Sequence, residues 1–275
     1  MPALAVRDQQ DSSPAVVGNL LVAHSKGGHV FVLDRKTGRL RWRWSSAGGI
    51  ESSPIVIDGV DYFGDWAGTI YALDLRTHRA RWTYGSGYKI TSSASVSNGT
   101  VYIGDYGGRL LALAKSNGHL RWSGSVNGRI YGTPAVANGR VFAPSSDGNS
   151  LTAFSTTGAR LWSINTGAYV YSSPAVWNGR VYFGSYNGVF YCLSAASGGT
   201  IWTFPTGGAI AGAPAIVDGI AYFSNRQHRI YGVNARTGRQ VFRFPDGAFV
   251  PVSGNGRRLL LHGFSRLYAV EPRRR

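Results

Sequence analysis

The sequence predicts an all-β chain folded as one seven-bladed β-propeller of four-stranded blades, a single domain over residues 1–275. Two ladders in register carry that reading. Tryptophan recurs every forty residues at Trp42, Trp82, Trp122, Trp162 and Trp202, and Phe242 continues the series. Proline keeps the same period at Pro14, Pro54, Pro134, Pro174 and Pro214, with Ala94 in the remaining place. Self-similarity at a fixed period of this length marks a repeat architecture. The third observation is a common grammar inside each period.

Residues 52–91 illustrate it. SSPIVI reads as a short apolar strand, and Asp58-Gly59 after it is a two-residue hairpin signal, because such turns need positive φ. VDYFG is the second strand, DWAG a turn, TIYALD the third strand and RTHR a turn; ARWTYG, the fourth strand, carries the repeating tryptophan. The first hairpin returns as Asn98-Gly99, Asn138-Gly139, Asn178-Gly179 and Asp218-Gly219. Four short antiparallel strands per repeat make a propeller blade, and no helical period interrupts them.

The repeats run over about 12–51, 52–91, 92–131, 132–171, 172–211 and 212–251. The remainder, 252–275, supplies RRLLLHG and RLYAVEP, which match second and third strands. ALAVR, within residues 1–11, stands where a fourth strand is expected. The two tails together amount to nearly one repeat, so the N-terminal strand is expected to complete the C-terminal blade and leave no open edge.

Composition agrees with a buried β fold. Hydrophobic residues make up 43% and charged residues 15%, which argues against disorder, and 38 glycines spread along the chain imply many turns. No apolar run is long enough for a membrane-spanning helix. The start, MPALAVRDQQD, has no signal-peptide pattern, so an exported form is expected to need a further segment. The lone Cys192 excludes an internal disulfide framework and a cysteine metal cluster. Charge is the unusual feature: 29 Lys and Arg against 13 Asp and Glu give +16. Such a field attracts anions, so nucleic acid or anionic lipid is an alternative partner, with the tail Arg273-Arg274-Arg275 contributing.

The segment that precedes each tryptophan resembles the PQQ-like (quinoprotein-type) propeller repeat, A-x-D-x-x-T-G-x-x-x-W. It stands as VLDRKTGRLRW at 32–42, ALDLRTHRARW at 72–82, ALAKSNGHLRW at 112–122, CLSAASGGTIW at 192–202 and GVNARTGRQVF at 232–242, with a shortened AFSTTGARLW at 153–162. The resemblance implies that Trp42, Trp82, Trp122, Trp162, Trp202 and Phe242 dock neighbouring blades, the indole N–H finding a carbonyl. Asp34 and Asp74 are expected to bond the amides of the Thr-Gly turn. Members of the family include quinoprotein dehydrogenases, a lipoprotein scaffold of bacterial outer-membrane assembly, sensor domains and exported bacterial proteins, so the resemblance implies an extracytoplasmic site. The dehydrogenases carry an adjacent cysteine pair that one Cys192 cannot supply.

Strand order assigns two faces. The face of the turns between strands one and two and between three and four is a basic rim with Arg35, Lys36, Arg76, Arg236 and Arg239. The face of the second-to-third-strand turns and inter-blade links gathers Glu51, Asp65, Trp66, Tyr88, Lys89, Asp105, Tyr106, Arg129, Tyr131, Tyr169, Tyr171, Tyr186, Arg226 and Phe249. Aromatics mixed with a few polar groups read as a recognition surface. Glu51, Asp65, Asp105 and Asp147 are expected to form an acidic sector opposite a basic one with His24, Lys26, Arg226, His228 and His262. HExxH, GxSxG, P-loop and GxGxxG patterns are absent, and the six histidines are scattered over different repeats, so neither a catalytic nor a metal site is expected. The function expected is a non-catalytic, monomeric scaffold that binds a protein or ligand and has no cofactor. The alternative is a reduced quinoprotein with PQQ or a sugar-like ligand over the axis and Ca²⁺ on Glu51, Asp65 or Asp105.

Overall fold

Every regular element in the computed structural model of the chain is a β-strand, over the residues it describes: 8–9, 12–247, 253–254, 259–263 and 266–270. They divide into two units, Met1–Pro134 and Ala135–Arg275, so that the boundary falls at the junction of the third and fourth repeats. Unit 1 holds three four-stranded antiparallel sheets. These are β1 (Ala15–Val17), β2 (Leu20–His24), β3 (His29–Asp34) and β4 (Leu40–Ser45); β5 (Ile55–Ile57), β6 (Val60–Gly64), β7 (Thr69–Asp74) and β8 (Arg79–Gly85); and β9 (Ser95–Ser97), β10 (Thr100–Gly104), β11 (Arg109–Ala114) and β12 (Leu120–Ser125).

Unit 2 holds three more of the same kind and a shorter one. The first comprises β13 (Ala135–Ala137), β14 (Arg140–Ser145), β15 (Ser150–Ser155) and β16 (Arg160–Asn165), the second β17 (Ala175–Trp177), β18 (Arg180–Gly184), β19 (Val189–Ser194) and β20 (Thr200–Pro205). The third comprises β21 (Ala215–Val217), β22 (Ile220–Asn225), β23 (Arg229–Asn234) and β24 (Gln240–Phe244). The last has three strands among the described residues, β25 (Ser253–Gly254), β26 (Leu259–His262) and β27 (Leu267–Val270). The strand expected at ALAVR and the face residue Phe249 lie outside the described residues.

Burial follows strand position. Every residue of β6 and of β10 is buried, whereas the fourth strands alternate, as in the exposed and half-buried succession of β12. A middle strand flanked by neighbouring sheets is apolar on both faces, and an outer strand is apolar on one. The core of unit 1 lies between successive sheets: Val22, Val32 and Phe63 between the first two, Tyr62, Ile70, Val101 and Leu111 between the second and third. Unit 2 repeats this with Phe142, Leu151 and Phe183, then with Tyr182, Phe190 and Phe223.

The hairpins form as the sequence predicts. Asp58 and Gly59 take φ of 52° and 72°, Asn178 and Gly179 50° and 72°, the left-handed pair a two-residue turn requires. At the turn between third and fourth strands, Asp34 Oδ1 accepts from the Lys36 and Thr37 amides at 3.1 and 2.9 Å, and Asp74 Oδ1 from those of Arg76 and Thr77 at 2.8 and 2.9 Å. The corresponding turns of later repeats are where the preceding repeat's tryptophan packs. Trp82 Nε1 donates to the Lys115 carbonyl at 2.9 Å, Trp162 to Ala195 and Trp202 to Ala235, both at 3.3 Å. A Cβ on Gly118 would stand 2.6 Å from the Trp82 ring, so the indole needs the bare backbone there. Where the turn carries His78 in place of glycine, Trp42 stacks on the imidazole with ring centres 4.3 Å apart.

Candidate functional site

On unit 1, the turn between second and third strands meets the link arriving from the preceding repeat. Backbone bonds join them: Trp66 N–H donates to the Gly49 carbonyl at 2.8 Å, and Tyr106 N–H to the Lys89 carbonyl at 2.9 Å. The residue that opens each turn caps it. Asp65 accepts from the Thr69 amide at 2.9 Å and Asp105 from the Arg109 amide at 3.0 Å, which draws both carboxylates fully inside. The next side chain emerges at the surface, and Trp66 is 37% exposed.

A line of alternating charges and rings follows. Lys26 Nζ lies 3.5 Å from Glu51 Oε1, and Glu51 Oε2 accepts from the Trp66 indole N–H at 3.2 Å. Lys89 Nζ lies 3.8 Å from the same oxygen, 3.9 Å from the centre of the Trp66 ring and 5.3 Å from that of Tyr106. Arg129 lies 5.4 Å from the Tyr106 centre, and Tyr131 packs on Tyr106 at 4.8 Å. Burial, with the Tyr131 hydroxyl beside it, holds the Tyr106 hydroxyl protonated far above the usual tyrosine range. Two glycines form the floor. A Cβ on Gly49 would stand 2.9 Å from the Trp66 ring, and one on Gly107 2.8 Å from the ring of Tyr88. Tyr88 is 53% exposed, with the Arg109 guanidinium 4.9 Å from its centre. Each cation–ring contact at such a surface contributes about 0.5–1 kcal/mol.

Unit 2 carries a smaller cluster of the same origin. Tyr186 N–H donates to the Tyr169 carbonyl at 2.9 Å. Tyr169, Tyr171 and Tyr186 pack on one another with centres 4.9–5.9 Å apart, and Arg226 lies 5.9 Å from the Tyr186 centre.

The structure thus gathers Glu51, Trp66, Tyr88, Tyr106 and Tyr131 on unit 1, and Tyr169, Tyr171, Tyr186 and Arg226 on unit 2. Asp65 and Asp105 lie beneath the surface instead. Asp65 also accepts from the Gly48 amide and the Tyr71 hydroxyl, at 3.1 and 3.0 Å, and Asp105 is clamped by Arg109 Nε and Nη2 at 3.0 and 2.7 Å. Acidic and basic groups interleave here, since Lys26 and Lys89 both flank Glu51. Sequence reasoning missed Arg109, although an Asp and an Arg four apart across a tight turn are within reach of each other. It also missed Asp61, whose carboxylate meets His24 in the core at 2.8 Å. Among the described residues no three His, Cys, Asp or Glu side chains are grouped to hold a metal ion. Glu51, Asp65 and Asp105 already spend their oxygens on protein donors, so these three carboxylates do not form an open donor set for Ca²⁺.

Tandem four-stranded antiparallel sheets, each ending on a strand that carries the repeating tryptophan or Phe242, define a PQQ-like repeat β-propeller. The chain belongs to the family of outer membrane protein assembly factor BamB, whose profile matches residues 4–88, 66–172 and 150–273. Among solved structures it is similar to BamB from Moraxella catarrhalis, with a TM-score of 0.81 and 19% identity over 93% of this chain and 83% of that one. It is also similar to the computationally designed Ika8 protein, with a TM-score of 0.84 and 16% identity over 94% of this chain and 82% of that one. At these identities the likeness is one of fold. No curated protein matches the sequence.

Proposed function

We propose that the chain is a non-catalytic, monomeric scaffold that holds a protein partner on the face of the second-to-third-strand turns and inter-repeat links. The observation that carries this reading is the Glu51–Trp66–Lys89–Tyr106 line, whose side chains are held by one another and by the glycine floor. Groups fixed before binding lose little entropy when a partner arrives. The family supports a scaffold role in general. It also supports a site of action outside the cytoplasm, at the outer membrane.

The reading includes seven blades, with the N-terminal segment completing the last one and the tryptophans locking each blade to the next. It includes no cofactor and no catalysis. Nucleic acid or anionic membrane, the alternative suggested by the +16 charge, is distinguished by salt: such binding weakens steeply as salt is added, in proportion to the phosphates contacted.

The test is site-directed crosslinking in the cells that make the protein. With a photo-crosslinking amino acid in place of Tyr88, a discrete protein adduct is expected, and Trp66→Ala removes it. The same amino acid in place of Lys36, on the opposite face, gives none. Equal adduct patterns from the two positions would overturn the reading.

A further inference from the structure

We propose that the line from Lys26 to Arg129 on unit 1 receives an acidic peptide, an extended segment of a partner protein with spaced Asp or Glu side chains. This rests on the reading of the face as a protein-binding surface, and goes on to name the chemistry of what it binds.

Charge is the first argument. The line presents three cations, Lys26, Lys89 and Arg129, and one carboxylate, Glu51. Of the other acids at these turns, Asp65 and Asp105 are fully buried and spent on Thr69, Gly48, Tyr71 and Arg109, and Asp8, 32% exposed, accepts from the Ser25 hydroxyl and lies 3.7 Å from His29 Nε2. Folding has moved Asp65 and Asp105 below the surface, and on top of it the three cations outnumber Glu51 and Asp8. An acidic partner complements that excess.

Placement is the second. The Lys26 and Lys89 side chains are 23% and 33% exposed, so their stems are covered while contact with solvent remains. Lys89 is fixed between Glu51 and two rings, and an incoming carboxylate finds the ammonium already positioned. The exposed parts of Trp66 and Tyr88 offer flat apolar contact for the peptide between its charges.

The third argument selects a peptide over a nucleic acid. Glu51 sits within the line, 3.5 and 3.8 Å from two of the cations. A phosphodiester chain carries charge at every step and meets this carboxylate with repulsion. A peptide has neutral residues and backbone N–H groups between its carboxylates, and Glu51 can accept from those.

The experiment uses the whole chain, a labelled peptide alternating Glu and Ser, its Gln-for-Glu counterpart and a thymidine oligonucleotide of similar length. Fluorescence anisotropy at physiological salt is expected to give saturable binding of the Glu peptide. Lys89→Glu weakens it about tenfold or more, while Lys36→Glu, an equal change in net charge on the other face, alters it less than about twofold. Circular dichroism checks that both variants fold. The proposal is overturned if the Gln peptide binds as well, if the two variants lose affinity equally, or if only the oligonucleotide binds in a Lys89-dependent way. It is also overturned if Tyr88-position crosslinking yields its partner adduct while the Glu peptide does not bind; in that case the protein-scaffold reading stands. If that adduct is absent and the Glu peptide still binds, the scaffold reading fails and the acidic-ligand site remains.

Discussion

His24 Nε2 lies 2.8 Å from Asp61 Oδ2, and both side chains are completely buried between the first two sheets of unit 1. The other ring nitrogen, Nδ1, lies 2.7 Å from the Ser52 carbonyl oxygen, and Asp61 Oδ1 accepts from the Ile55 amide at 3.1 Å. A carbonyl only accepts, so Nδ1 carries a proton. The bond to Asp61 then requires a second one, held on the ring or on the carboxylate. Charged and polar groups in this setting are satisfied only as a unit.

The pair departs from its own repeats. Where Asp61 stands, the others carry Leu21, Val101, Val141, Val181 and Ala221, and where His24 stands, the third and fifth carry Gly104 and Gly184. Removing one member of a buried pair costs about 3–5 kcal/mol, whereas removing both leaves no orphan. Asp61→Val and His24→Gly are each expected to destabilise strongly. The double variant should cost less than their sum, with a coupling of about 0.5–3 kcal/mol in a urea-unfolding cycle. Additive losses would mean that the two residues act independently.

Gly118 and Gly99 separate two reasons for a glycine. Both have positive φ, 74° and 69°. A Cβ on Gly118 meets the Trp82 ring at 2.6 Å, while one on Gly99 has nothing nearer than 3.9 Å. Gly99→Ala is expected to cost about 1–2 kcal/mol, the left-handed backbone term alone. Gly118→Ala adds a collision of about 1–3 kcal/mol, because the indole must leave its bond to Lys115 or the turn must shift. Chemical denaturation of the two variants measures the difference, and equal losses would show that Trp82 yields freely.

The contrast between these positions marks what the sequence could and could not tell. The strands, hairpins and Asp34 and Asp74 turns were legible because they depend on local φ and on spacing, both written along the chain. The face was legible as a set of turn and link positions. The direction of each side chain was not, because Asp65 and Asp105 turn inward to cap amides that come into reach only when the turn closes. A signal was present: positions 65, 105, 145, 185 and 225 are Asp, Asp, Ser, Ser and Asn, all short capping side chains. Asp61 was likewise visible as one charge in an apolar column. Its partner was not, since it comes from the adjacent repeat.

Cys192, on β19, lies in the core beside Tyr182 and Phe190, and burial pushes its thiol up to about 11. The thiolate is the reactive form. In the native protein Cys192 is therefore expected to resist a disulfide reagent at about pH 8, and to react within the mixing time once urea unfolds the chain. The rate in native buffer then reports opening of the fifth repeat. Rapid native reaction would place the thiol at the surface, contrary to the packing described.

Acid should loosen the turn at Asp74. The Thr77 amide, the Arg81 guanidinium and the Arg76 amide hold its carboxyl at about 2, against an ordinary value of 3.8. A depressed carboxyl favours the folded state wherever it is ionised. Its contribution is complete above the ordinary value and is lost as pH falls through about 2, because the unfolded chain takes up the proton first. Asp74→Asn tests this without destroying the turn, since Asn234 already accepts from the Arg236 and Thr237 amides at 3.0 Å in the equivalent place. What the variant lacks is the charge facing Arg81, whose Nη2 is 2.7 Å from Asp74 Oδ2. At neutral pH it is expected to be slightly less stable than the parent. On acidification the two should converge, with the gap closing as pH falls from about 4 toward 2. A gap that stays constant over that range would mean that the Arg81 pairing contributes nothing to the folded state.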